Sequence, residues 1–217
     1  MRIAIIGAGN VGRALTTSLS RAGHDIVVAS REPHHASDLA ATVTGATAAA
    51  SPRAAVEGAD VIVLAIPFAS AAEVALNIRP AIAGKPVVDV TNRMSFGANG
   101  AEMDTSTSNA EELAVLMPEA HVVKAFNTLF ASSQSDPIVE GVTLDGFVAG
   151  DDAAAKATVI GLVESIGLHA VDVGPLVRAR QLESLAFLNI ALQIANNGGW
   201  QSGWKLVGAP ATLPAAA

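Results

Sequence analysis

Directly after the apolar run Arg2–Ile6 the chain reads Gly7-Ala8-Gly9-Asn10-Val11-Gly12, and an Ala- and Leu-containing helical stretch, Val11–Ala22, follows. A Gly-x-Gly-x-x-Gly pattern is common, but between a strand and a helix each glycine has its own task. Gly7 permits the tight turn, Gly9 lets the backbone approach a pyrophosphate, and Gly12 lets helix and strand pack closely. The free N–H groups at the helix start then face the phosphates. This arrangement commits the opening of the chain to the first βα turn of a dinucleotide-binding unit.

The rest of the sequence has the same rhythm. Short β-branched runs are predicted as strands at 2–6, 25–30, 47–49, 61–66, 86–90, 122–125, 146–149 and 169–173. Helices are predicted at 11–22, 35–43, 52–57, 69–82, 110–117, 153–166 and 178–196. Most of the strand runs are solid apolar blocks, as expected where helices cover both faces of a parallel sheet. The expected fold is therefore α/β: a Rossmann-like, doubly wound, mostly parallel sheet with a small C-terminal helical/αβ part. Ser51-Pro52 reads as a helix cap, and Asp151-Asp152 as the acidic start of the next helix rather than a catalytic pair. Residues 1–150 are assigned to dinucleotide binding, 151–207 to a second-substrate pocket and a dimer contact, and 208–217 to a fraying tail. The Gly-, Asn- and Ser-rich stretch 92–109 is a functional or mobile connection.

The end of the second strand indicates which dinucleotide. An NAD site usually carries a carboxylate there, whereas this chain has Ser30 and then Arg31, a hydroxyl and a guanidinium suited to a 2′-phosphate. NADP is therefore expected over NAD. Ile66 and Pro67 leave the fourth strand near the switch point where ligands sit in open α/β sheets. Asn127 and Thr128, after an apolar strand, are candidates to hydrogen-bond a nicotinamide or a ring carbonyl, with Asn127 as a turn residue and Lys124 as a strand-end charge the plainer alternatives. Arg93, Arg178 and Arg180 are candidates for an anionic tail on a second substrate, or ordinary surface charges. The last helix is apolar around most of its circumference, so burial in a homodimer or within the domain is expected. The segment around Trp200 and Trp204 is expected to return toward the cleft.

Composition narrows the chemistry. The 217 residues include no Cys and no Tyr, which excludes thiolate nucleophiles, thiolate metal sites and a Tyr-based proton donor. No His cluster has metal-ligand spacing, so no metal is expected. A net charge of −7 and 4% aromatic content argue against nucleic acid or a polybasic membrane patch as partner. No apolar run approaches the roughly 20 residues of a membrane span, and a cytoplasmic protein is expected.

Taken together, the Met1–Gly12 turn, Ala29-Ser30-Arg31, Val122-Val123-Lys124-Ala125-Phe126-Asn127-Thr128, and Gly174-Pro175-Leu176 with Arg180-Gln181-Leu182-Glu183-Ser184 resemble the coenzyme F420-dependent NADP oxidoreductases. The same fold serves as the NADPH-binding domain of membrane metalloreductases. The resemblance covers nearly the whole chain in order. It implies a dimeric Rossmann-like protein with the deazaflavin ring stacked on the nicotinamide. By motif it puts Gly9, Asn10 and Val11 at the pyrophosphate, Ser30 and Arg31 at the 2′-phosphate, Ile66 and Pro67 beside the dinucleotide, and Asn127 beside the nicotinamide. One position departs: archaeal F420-reducing members carry histidine where this chain has Asn127.

The expected activity is hydride transfer between NADPH and F420. Such transfer is carried by the cofactors and needs positioning rather than an acid/base dyad, so no catalytic side chain is assigned. The alternatives are reduction of a flavin, a ferric chelate or another small acceptor, and a non-catalytic NADP-binding sensor or interaction module.

Overall fold

A computed structural model describes residues 1–97 and 100–208. The tail expected at 208–217 therefore lies, from residue 209 onward, outside the described residues. Strands β1 (Arg2–Ile6), β2 (Asp25–Ala29), β3 (Ala46–Ala48), β4 (Val61–Leu64), β5 (Pro86–Asp89) and β8 (His121–Lys124) run parallel to one another. With β11 (Asp145–Gly150) and β12 (His169–Gly174) they form one eight-stranded sheet, in the order β12-β11-β8-β5-β4-β1-β2-β3.

The solid apolar blocks are explained by the way their residues alternate. Ile3 and Ile5 of β1 point to one core, with Leu15 and Leu19 of α1 (Asn10–Arg21), Leu39 of α2 (Pro33–Thr42) and Val159 and Leu162 of α7 (Ala153–Ser165). Ala4 and Ile6 point to the other core, with Val56 of α3 (Pro52–Val56), Ala75 and Ile78 of α4 (Ala71–Ile78) and Leu113 of α5 (Asn109–Leu116). Both faces of the strand are therefore covered, and a polar residue at either position would be buried. Two of the expected caps are formed: Ser51 Oγ accepts from Ala54 N–H at 3.2 Å, and Asp152 Oδ1 from Ala155 N–H at 2.8 Å. Asp151 instead accepts from the Leu176 N–H at 2.8 Å.

Three small elements fall between the predicted ones. They are the hairpin β6–β7 (Ser95–Gly97 and Gly100–Glu102), the short helix α6 (Ala131–Ser135) and the hairpin β9–β10 (Ile138–Val139 and Val142–Thr143). The hairpin β6–β7 occupies the stretch expected only as an irregular connection.

The last two strands break the parallel pattern. Strand β11 lies antiparallel to β8, with Ala149 opposite Lys124, and β12 runs parallel to β11. A helix after a strand normally runs back from the carboxyl edge of the sheet. Because β12 is reversed, α8 (Ala179–Ala195) instead travels toward the carboxyl ends of β1, β4, β5 and β8. It buries Leu182, Glu183, Ala186 and Asn189, while Leu188, Leu192 and Ile194 stay about half exposed. The apolar circumference read from sequence is thus only partly covered by the described residues. Among the described residues, no helix is long and apolar enough to cross a membrane.

Candidate dinucleotide and acceptor cleft

The chain leaves β1 at the centre of the sheet, where the winding direction changes between β2 on one side and β4 on the other. The turn is tied to both neighbours: Gly7 N–H donates to Ala29 O at 2.7 Å, and Ala65 N–H to Ile6 O at 2.8 Å. Gly7 has φ of 120°, and a Cβ there would collide with the Ala65 carbonyl. A Cβ at Gly12 would collide with the Gly7 carbonyl, so that glycine seats α1 against the turn. Around Gly9 nothing lies within 4 Å of a built Cβ. The ladder of α1 begins with Arg13 N–H donating to Gly9 O at 2.8 Å, which leaves the first-turn N–H groups outside it. A cradle of this kind fits a diphosphate.

Ser30 follows β2 directly, beside the glycine turn, and its hydroxyl donates to the Glu32 carbonyl. The Arg31 side chain is 88% exposed, with Nε 4.0 Å from Glu32 Oε1. Ile66 packs next to the turn, its Cγ2 3.2 Å from a Cβ built at Gly7, and Pro67 caps a short 3-10 turn at Phe68–Ser70.

Across the switch point, a cleft of about 540 Å³ joins Asn10 and Val11 to Asn127 and Thr128. Met94, Ala186, Asn189, Ile190 and Trp200 also line it, and among the described residues none that lines it is ionisable. The turn that presents Asn127 depends on Phe126, which is buried with φ of 60°, in the left-handed region that non-glycine residues seldom occupy. Asn127 Nδ2 donates to Asn92 Oδ1 at 2.8 Å, and Asn92 Nδ2 to Asn127 O at 3.1 Å. Asn127 Oδ1 and Thr128 Oγ1 are buried without a partner among the described residues, as groups awaiting a polar ligand would be.

Beneath this amide pair is a network that sequence reasoning missed. Lys124 is fully buried, and its Nζ donates to Asp89 Oδ2 and Glu183 Oε1, each at 2.7 Å, and to Thr91 O. It ends β8, as a strand-end charge would, but it is fully buried. Glu183 also accepts from the N–H groups of Asn109 and Arg93, both at 3.0 Å. Burial pushes the Glu183 carboxyl above its ordinary value, while Lys124 pulls it down. One signal was present in sequence: a lysine inside an apolar, doubly covered strand has to be buried, and a buried ammonium needs carboxylates.

Arg93 and Arg180, considered for an anionic tail, are engaged within the chain. Arg93 pairs with Glu112 at 2.5 Å and Asp104 at 3.4 Å, and Arg180 makes a bidentate pair with Glu111 at 2.7 and 2.8 Å. Arg178 is exposed. Trp200 does reach the cleft, edge-on to Phe130 with ring centroids 5.2 Å apart. Trp204 instead packs with Phe147 and Leu182.

A glycine cradle at the switch point of such a sheet is the mark of the dinucleotide-binding α/β proteins. Known proteins narrow the class. The family model for NADP oxidoreductase, coenzyme F420-dependent, matches residues 2–93. The F420-dependent NADP reductase of Methanothermobacter thermautotrophicus is 31% identical over 215 residues, covering 90% of each chain. A crystal structure from Arthrobacter sp. FB24, provisionally named an F420-dependent NADP reductase, superposes with a TM-score of 0.85 at 30% identity, covering 95% of this chain and 99% of that one. Metalloreductase STEAP3 of Rattus norvegicus is 32% identical over 85% of this chain, which spans only 36% of that protein. The chain belongs to the coenzyme F420-dependent NADP oxidoreductase family and has its Rossmann-like fold.

Proposed function

We propose that this protein transfers hydride between NADPH and the deazaflavin coenzyme F420. The observation that carries the reading is the cleft itself, which runs from the glycine turn to Asn127 and Thr128 and has no ionisable residue in its lining among the described residues. Reduction of a carbonyl or imine calls for a positioned proton donor. Transfer between two conjugated rings calls for placement and exclusion of water instead. When bound, NADPH supplies the hydride, and the acceptor ring takes its balancing proton from solvent.

The chain's own residues hold the two partners. Gly9, Asn10 and Val11 meet the pyrophosphate, with Gly7 and Gly12 shaping the turn. Ser30 rotates its hydroxyl from the Glu32 carbonyl toward the 2′-phosphate, and Arg31 supplies the opposite charge. Ile66 and Pro67 flank the dinucleotide. Asn127 Oδ1 accepts from the nicotinamide amide, and Thr128 Oγ1 completes that polar edge. Residues 1–150 bind the dinucleotide, and 151–207 complete the acceptor pocket through α8 and Trp200. A homodimer covers the half-exposed Leu188, Leu192 and Ile194.

The name of the Methanothermobacter relative, similar along its length, supports F420 as acceptor. A second reading, with a flavin or ferric chelate as acceptor, is favoured by the likeness to a metalloreductase. The test is to add F420, riboflavin or a ferric chelate to protein and NADPH and follow the nicotinamide absorbance. Loss with F420 supports the proposal, and loss only with another acceptor selects the second reading. No loss with any of them removes the catalytic reading and leaves a protein that merely binds NADP.

A further inference from the structure

Trp200 combines features that do not occur together by chance of packing. Its backbone has φ of 56°, a left-handed conformation that a tryptophan keeps only where its surroundings enforce it. Here they do. Trp200 N–H donates to Gln193 Oε1 at 2.9 Å, and Trp200 O accepts from Ser132 Oγ at 2.6 Å. The next turn is latched to α8 as well, because Ser202 Oγ donates to Asn189 Oδ1 at 2.5 Å and accepts from Gln193 Nε2 at 2.8 Å.

All this ordering does not serve to bury the indole, which remains 45% exposed where it lines the cleft. Phe130 meets it edge-on, fixing the ring while leaving aromatic surface for a ligand. A held and half-bare indole in an uncharged cleft suits the face of a flat conjugated ring. It offers nothing specific to a small aliphatic carbonyl or to a charged chelate.

We infer that Trp200 is the specificity-determining residue of the acceptor half of the cleft, providing the surface on which a planar, uncharged ring system stacks. The inference rests on the proposed reading of the cleft as a hydride-transfer site. It adds the residue that selects a flat heteroaromatic ring over a chelate or a small carbonyl.

The test separates ring binding from turnover. Protein loaded with NADP+, which donates no hydride, is titrated with coenzyme F420 and with riboflavin by calorimetry. Trp200→Ala should weaken ring binding about tenfold, the size expected for one lost aromatic stack. Trp200→Phe should restore most of it, and the affinity for NADP+ should not change. Trp204→Phe, outside the cleft, should bind the rings as the unmodified protein does. In turnover the Trp200→Ala defect should appear in KM for the ring rather than in kcat. Ring affinity unaltered in Trp200→Ala overturns the inference even if NADPH oxidation proceeds. An equal loss in Trp204→Phe also overturns it, by assigning the effect to general loosening of the segment. If the unmodified protein binds neither ring, the stacking surface has no ligand of this class and the inference fails. If rings bind and depend on Trp200 but NADPH is never oxidised, the stacking role stands and the hydride-transfer reading fails alone.

Discussion

Gly7, Gly9 and Gly12 follow one another at short intervals, yet a methyl group added to each would meet something different. At Gly12 it would run into the Gly7 carbonyl, and at Gly9 it would meet nothing within 4 Å. Gly12→Ala should therefore lower Tm, in keeping with overpacking costs of about 1–3 kcal/mol. Gly9→Ala should leave Tm unchanged and weaken NADPH about tenfold or more, because only the ligand would occupy that space. Thermal unfolding with calorimetric titration of the two variants checks the pair. A fall in Tm for Gly9→Ala would mean that the turn, rather than a phosphate, needs the glycine. Arg31 poses a similar question in terms of charge. Its side chain extends into solvent beside the turn, so Arg31→Ala should cut the preference for NADPH over NADH about tenfold while leaving NADH affinity unaltered. Equal losses for both nucleotides would detach Arg31 from the 2′-phosphate.

At the scale of elements, the buried ions tie together parts that are distant in sequence. Lys124 closes β8 against β5 through Asp89 and against α8 through Glu183, while Glu183 also holds the start of α5. Lys124→Met would strand two buried carboxylates and should cost about 3–5 kcal/mol, measured by chemical denaturation. The pH dependence follows from Glu183, whose carboxyl burial pushes upward in the native state. Its contribution is complete below the ordinary glutamate value and is lost as pH rises through the elevated native one. Glu183→Gln should remove that decline, so stability curves of the two proteins should converge toward acid and separate above it. The sequence signals that Lys124 is buried, but not which carboxylates meet it. Asp89, Lys124 and Glu183 are 35 and 59 residues apart, and no local pattern announces such a meeting. The elements themselves were legible: all eight strands of the main sheet and the helices α1 to α5, α7 and α8 lie within a few residues of their predicted spans, because strand blocks and helix caps are local signals. The reversal of β11 and β12 was not, since a run buried on both faces reads alike in either direction.

For the whole molecule, the segment after α8 decides whether the cleft is complete. Asp145, fully buried, holds that segment: its carboxylate accepts from Lys205 Nζ at 2.6 Å and from the Leu206 N–H, and its own N–H donates to Trp204 O at 2.9 Å. Burial pushes this carboxyl up, but Leu206, Lys205 and His169 together keep it below the ordinary value. Its stabilising contribution is therefore present above the ordinary aspartate range and is lost as pH falls through the lower native value. Asp145→Asn should loosen residues 200–206, speed their proteolysis at neutral pH and soften the acid limb of the stability curve, while NADPH affinity stays as it was. Unchanged proteolysis would show that Asn189 and Gln193 hold the segment alone.

The reversed strands also have a consequence for the order in which the site comes into being. The glycine turn, Ser30 and Asn127 all lie on strands or turns that leave the ribosome before β12 is made. Helix α8 and Trp200 emerge only after the last strand of the sheet has been synthesised. A nascent chain thus presents a dinucleotide cradle before it has a wall for the acceptor. NADPH captured during synthesis would favour the early half of the fold, before the closing helix arrives.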